Sequence, residues 1–400
     1  YTLHFFNASS NTLSSSYVSN SSGTGVRMDS NSHYNSIVLS TMMGGAPGAC
    51  GSGGSGLILI GSVGNSIEQS AMLGGAGNSA CGGGGGSGLF ISNGSSNTFQ
   101  LSTMIGGSVA PLGGSAAAGG RGVDLSLSSS NTFVSNVMRG GEGGNGGAGG
   151  VGVMLQSNSN VNVIWLSTMT GGLGSNTGGN GGAGLTISFA STNTIIASAI
   201  TGGIGGAASV GLGGHGVEIN GGSWNLVTQS SAIGGAGAIV VGGGQHSSPG
   251  GHGLFVMSGS SNTASLSVII GGAGGDGFAG STGGLGGNGV NFATGASSNT
   301  VSVSTISGGA GGAVSGSFSN GGHGLYVNAG SSNTVDQSYL AGGSGSGIQG
   351  SAGYFDLNSE RTLVRASTLT ASSAGSYALF MNGSSSNTIS DANAVTTMLF

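Results

Sequence analysis

Lysine is missing from this sequence, and charge of either sign is scarce. Five arginines are the only strong cations, ten acids give a net charge of −5, and charged residues make up 4% of the 400 positions. An ordinary globular chain carries roughly 25%. With no basic run, nucleic-acid binding through phosphate neutralisation is excluded. No apolar stretch approaches the roughly 20 residues that cross a bilayer as a helix. Proline and cysteine are almost absent as well, at 3 and 2 residues. The chain opens on Tyr1 rather than Met and shows no leader, which reads as a processed chain or a segment of a longer one. A surface this poor in charge predicts assembly or glycosylation, with Asn-x-Ser acceptors at Asn7, Asn20, Asn93 and Asn382.

What is abundant is glycine, at 94 residues. High glycine with little charge would suit a disordered chain, but disordered chains are usually charged and poor in β-branched residues. Here Leu, Ile, Val, Met and Phe recur at fixed places. The phrase SSNT, an alternating apolar run and GG returns throughout, as in Asn262-TASLSVII-GG and Asn299-TVSVSTIS-GG.

Aligning on the Asn gives thirteen landmarks: Asn11, Asn35, Asn65, Asn97, Asn131, Asn162, Asn193, Asn225, Asn262, Asn299, Asn333, the degenerate Thr362 and Asn387. Their spacings run 24, 30, 32, 34, 31, 31, 32, 37, 37, 34, 29 and 25. The excess over 24 falls almost entirely between the GG and the next G-x-G-apolar segment. Each repeat therefore keeps its strands and carries a variable Gly-rich loop at one corner.

Two residues past the landmark lies an apolar column that includes Ile67, Phe99 and Phe133. Seven past it lies another, including Met72, Met104 and Met138. Period-2 runs bounded by Gly and Ser read as strands, and no helical period is sustained. The fold class is all-β: a single-stranded parallel β-helix of about 13 coils, read as one domain over 1–400. Right-handed coiling follows from the hand of parallel crossovers. Asn at the landmark is expected in a left-handed turn, where its amide also bonds coil to coil.

The GLxV…SSNTI…GG pattern resembles the right-handed parallel β-helix repeats of the pectate-lyase-like superfamily and of bacterial surface proteins. The Gly-rich loops, such as 271–289, resemble mycobacterial PGRS tracts in composition only. Such loops lack side chains for a core, so they are expected either as disordered bristles or as extended polyproline-II-like segments packed side by side, as only Gly permits; the graded lengths favour packing.

Chemistry-bearing residues are few. Cys50 and Cys81 fall at matching places in adjacent loops, within disulfide range of each other. A bond there implies an oxidising location. His215, His252 and His323 each lie ten residues before a landmark, share a column with Arg121, and are expected as an exposed polar ladder rather than a metal site. His4, His33 and His246 join no column. The acids are scattered, concentrating only at Asp336, Asp356, Glu360 and Asp391 among Arg361 and Arg365. Asp336 and Arg365 share one register position, which predicts a cross-coil ion pair. A Ser ladder runs five past the landmark (Ser40, Ser70, Ser102, Ser167), and a Thr ladder beside the Asn is too interrupted for an ice-binding face.

The sequence predicts an extracellular or cell-surface structural protein that is not an enzyme and needs no cofactor or metal. It is read as a filament or sheath subunit joined head to tail through Tyr1, Phe5, Phe6, Met398, Leu399 and Phe400. Its partners would be copies of itself and glycans, covalent or bound. An adhesin stalk or glycan-binding rod of a larger surface protein is the alternative, and a polysaccharide lyase or hydrolase the third reading.

Overall fold

The computed structural model describes all residues except 49, 111–113, 208–210, 240–246, 278–281, 314–317, 372–375 and 397–400, and the side chain of residue 396. Met398, Leu399, Phe400 and His246 therefore lie outside the described residues. The chain divides into two compact units, Tyr1–Ala199 and Ile200–Phe400. Both are built from one coil design: a strand of three or four residues, then two three-residue strands, then a Gly-rich loop. Leu89–Ser92, Thr98–Gln100 and Thr103–Ile105 make up one such coil. Equivalent strands of successive coils pair in parallel, giving three sheets of a right-handed-type β-helix. Among the described residues there is no α-helix, only a 3-10 turn at Ser79–Cys81.

Pairing is in exact register, so like residues stack. In the first unit Ile67, Phe99 and Phe133 are direct partners on successive strands. The two Phe rings lie 4.8 Å apart and within 8° of parallel. Met72, Met104 and Met138 stack in the third sheet. All six are fully buried. In the second unit Val227, Ala264, Val301 and Val335 form the equivalent column, coil upon coil. Strands this short gain nothing alone; the dry interior arises because each coil covers the apolar side chains of the one before.

The corners turn through left-handed backbone, but not at the landmark Asn. The residue just before it takes that conformation: Ser96 (φ 55°), Val161 (φ 58°), Trp224 (φ 59°), Arg361 (φ 53°). The expectation of a left-handed Asn is therefore corrected. Asn instead points inward, buried, and spends its whole amide on its neighbours. Asn97 Oδ1 accepts both the N–H and the Nδ2–H of Asn65, at 3.0 Å each. Asn97 Nδ2 donates to the Ser62 carbonyl of the coil behind and to Asn131 Oδ1 of the coil ahead. One amide thus ties three coils and leaves no lone donor in the interior. The same bonds link Asn35, Asn65, Asn97, Asn131, Asn162 and Asn193 in the first unit, and Asn225, Asn262, Asn299 and Asn333 in the second. The Ser column works alike: the backbone N–H donates to the hydroxyl of the next coil, as Ser40 does to Ser70 at 3.1 Å, except that Asn136 takes one place and accepts the Ser102 N–H on its Oδ1 at 2.9 Å.

The Gly-rich loops form a second, packed layer. Each loop leaves its coil and returns, and every leg donates a backbone hydrogen bond to the leg before it. In the first unit the row runs Gly45 to Gly23, Gly54 to Gly45, Gly75 to Gly54, Gly86 to Gly75 and on to Gly182, at 2.7–2.9 Å. The second unit repeats it from Gly214 to Gly203 through to Gly350. A Cβ placed on Gly86 would sit 2.1 Å from the Gly54 carbonyl oxygen. Legs this close admit only hydrogen at the contact, which is why glycine dominates here.

Candidate functional site

The outer face of the first sheet in the second unit carries a run of rings. Phe255, Asn291, Tyr326, Tyr354 and Phe380 are register partners on successive strands, at the position that points away from the core. Three residues before that position the GGHG phrase places His252 and His323. His323 lies 4.5 Å from the Tyr354 ring and 5.7 Å from the Tyr326 ring. Tyr354 in turn lies 5.0 Å from Phe380.

Above this face the Gly layer overhangs. Together they enclose an open cleft of about 400 Å³. Its floor is His323, Tyr326 and Tyr354, and its rim is Leu285, Asn320, Ile348 and Gln349 from the loops. Asp356 closes one side. Its Oδ2 accepts the Tyr326 hydroxyl at 2.8 Å, and its Oδ1 accepts the Leu357 N–H at 2.9 Å and the Asn382 amide at 3.1 Å. Burial pushes this carboxyl up, but the accepted hydrogen bonds outweigh it and hold the group below the ordinary carboxylate range. Tyr326 moves the other way: burial and the bond to Asp356 keep its phenol protonated.

The histidines are not an exposed ladder. They are half-buried under the Gly layer, and each ring accepts a backbone bond from the next coil. His215 Nδ1 accepts from the His252 N–H, His252 Nδ1 from the Asn288 N–H, and His323 Nδ1 from the Ser351 N–H, at 2.9–3.0 Å. Asn288 fills the missing place, its Oδ1 accepting from the His323 N–H at 2.8 Å. Burial lowers His215 to about 4; burial and the neighbouring His215 lower His252 to about 3; burial lowers His323 to about 4 against the opposing pull of Asp356. All three are neutral at pH 7, with the proton on Nε2. Asn291 Nδ2 lies 2.9 Å from His252 Nε2, while Asn291 Oδ1 is buried without a partner. Turning that amide over sets its oxygen against the Nε2–H and satisfies both groups.

The other sequence candidates stand elsewhere. Cys50 and Cys81 are joined, with Cα atoms 5.3 Å apart, in the loop layer of the first unit. Arg365 grips Asp336 through two bonds, of 3.0 and 2.8 Å, on the outer face of the second sheet. Arg121 binds Asp124 at 2.6 Å in the first unit. Tyr1 and Phe6 are exposed and Phe5 half-buried at the first strand, with Tyr1 4.4 Å from His4 and beneath Arg27. His33, placed in no column, accepts the Val63 N–H on Nδ1 at 3.0 Å. Among the described residues no three His, Cys, Asp or Glu side chains converge on one point, and no helix is long and apolar enough to cross a membrane. The sequence reading missed Tyr326 and Tyr354. Their signal is the shared outward position three residues past His323 in GHGLYV and in the next coil.

No protein-family model matches the chain, and no curated protein is similar to it. Solved structures are. A double mutant of the periplasmic alginate epimerase AlgG is 9% identical, with 94% of this chain and 76% of that one covered at a TM-score of 0.43. Bacteriophage CBA120 tailspike protein 3 is 9% identical, with 92% and 56% covered at 0.43. The A-module of the Azotobacter vinelandii mannuronan C-5 epimerase AlgE4 is 11% identical, with 86% and 88% covered at 0.32. The chain thus spans just over half of the tailspike's length. The likeness is one of β-helix fold. The expectation that this chain is not an enzyme is withdrawn, since epimerases and a glycoside hydrolase stand among the similar structures.

Proposed function

We propose that this chain is an extracellular or cell-surface β-helix that recognises a polysaccharide, with the cleft over Tyr326 and Tyr354 as its seat. One observation carries the reading. A row of aromatic rings spaced 4.5–5.7 Å apart lies along a groove whose other wall offers a carboxylate and side-chain amides. Flat apolar rings suit the C–H faces of sugars, while Asp356, Asn320 and Gln349 suit their hydroxyls. A groove open at the surface of a stack of coils accepts a chain rather than a single small molecule. Such a protein serves as the glycan-binding rod or adhesin stalk of a larger surface assembly. The disulfide in the loop layer supports an oxidising location.

The test is a panel of purified polysaccharides run by affinity electrophoresis against the intact protein and Tyr354→Ala. At least one polymer retards the native protein, and the substitution weakens that retardation tenfold or more. Retardation that Tyr354→Ala leaves untouched, or none with any polymer, rejects the seat. The same mixtures, analysed by product chromatography, report whether the polymer is also altered.

A further inference from the structure

We infer that the cleft takes an uncharged polysaccharide and rejects uronate polymers. This rests on the cleft being a glycan seat, and it adds the class of glycan.

The charges around the cleft are all of one kind. The second unit holds six acidic side chains against two arginines and no lysine. Both arginines lie beside acids: Arg365 on Asp336, and Arg361 with its Nη2 3.9 Å from Glu360 Oε2. No arginine lines the cleft. The imidazoles that border it, His252 and His323, are held neutral by burial, with Nδ1 already occupied by a backbone N–H. The one full charge inside is the carboxylate of Asp356, fixed as an anion by three donors. A site that binds carboxylate-bearing sugars needs a cation or a cluster of free N–H donors facing each carboxylate. This one offers neutral amides and imidazoles beside an anion, and no cation. A uronate laid over Tyr326 and Tyr354 would bring its charge beside Asp356 in a half-enclosed groove, where like charges repel more strongly than in open water. A neutral sugar meets no such penalty, and its hydroxyls donate to the lone pairs Asp356 keeps.

Matched polymers decide it. Mannuronan and galacturonan oligosaccharides are compared with their carboxyl-reduced counterparts, which share the backbone and linkage but carry no charge. Titration calorimetry uses the intact protein, Asp356→Asn and Tyr354→Ala, at low and at 0.5 M salt, with thermal melts confirming that each variant is folded. A reduced polymer binds at least tenfold tighter than its uronate parent. Added salt narrows that gap by screening the repulsion. Asp356→Asn, isosteric and uncharged, narrows it too, while Tyr354→Ala weakens the neutral polymer. Uronates that bind as tightly as their reduced forms, or tighter, overturn the inference and leave the seat standing. Binding of neither form, with every variant alike, removes the seat and the inference with it.

Discussion

The Nδ1 of His215 accepts the backbone N–H of His252 at 3.0 Å, and the two rings lie 5.0 Å apart and within 6° of parallel. An imidazole used in this way substitutes for the strand bond that the corner cannot make. It can do so only while Nδ1 is unprotonated. Below the solution pKa of about 6.5 the fold and the proton therefore compete for the same lone pair.

The sign of the pH effect follows. The folded-state values of His215 and His252, about 4 and about 3, lie below the unfolded value. Between them the unfolded chain binds more protons, so stability falls as pH falls from about 6.5 toward 3. The slope is at most about 1.4 kcal/mol per pH unit for each such ring. Thermal melts from pH 7.5 to 4.5 should show a falling Tm. His252→Asn should flatten that fall, because Asn288 already fills the same column with an amide that cannot titrate. An unchanged slope in that variant would place the acid sensitivity elsewhere.

The Asn ladder makes a prediction with opposite signs at two positions. Asn131 receives two bonds from Asn97 and donates onward to Asn162. Asn131→Ala strands the N–H and one Nδ2–H of Asn97 and takes one donor from Asn162 Oδ1, at about 1–3 kcal/mol for each unsatisfied group. Thr362 holds the equivalent place in its coil, fully buried, with a hydroxyl that finds no partner. Thr362→Asn should stabilise the protein by about 1 kcal/mol, read as a rise in denaturant midpoint. A loss of stability there would mean that the slot is shaped for Thr.

These cases also show what the sequence could tell and what it could not. Residues such as Ile67, Phe99 and Phe133 were legible because coiling places equal repeat positions in contact, so a column in the alignment is a column in space. The left-handed corner was misplaced by one residue. Its occupants are Ser in seven coils, Ser96 among them, but Val161, Trp224 and Arg361 in others, none of them a residue that favours left-handed backbone, whereas the recurrent Asn beside them draws the eye. The cleft was hidden for another reason. Tyr326 and Tyr354 face outward, where the repeat imposes no pattern. The wall that shades His323 comes from loops whose lengths differ from coil to coil. Reading the histidines as exposed was correct for the bare coil and wrong once Gly legs cover it.

Packing in the Gly layer predicts a sharp contrast between two similar substitutions. Gly86→Ala drives a methyl into the Gly54 carbonyl. With backbone on the other side, relief requires moving a whole leg, at about 2 kcal/mol or more. Gly48→Ala, in the loop before it, meets nothing within 4 Å. It should be neutral, or stabilise by about 0.4–1 kcal/mol through the unfolded chain. Hydrogen exchange of the loop amides separates the two: faster exchange around Gly75 and Gly86 in the first, none in the second. Equal exchange in both would mean that the legs are not held together.

The Cys50–Cys81 link ties two adjacent loops across 31 residues of chain. Its effect should be local in space. The coils beneath are held by the Asn ladder and the Met column, which do not depend on the loops. Cys50→Ser with Cys81→Ser removes the loop-closure constraint on the unfolded chain, worth about 2–4 kcal/mol. Yet it leaves the apolar columns at Met72 and Met104 intact. Hydrogen exchange should therefore quicken in loop residues near Cys50 and Cys81 while the Ile67 and Phe99 strands keep their protection. Peptide mapping without reductant should recover the two cysteines in one linked fragment. If that fragment is absent from protein made under oxidising conditions, the loops are held by their glycine backbone bonds alone.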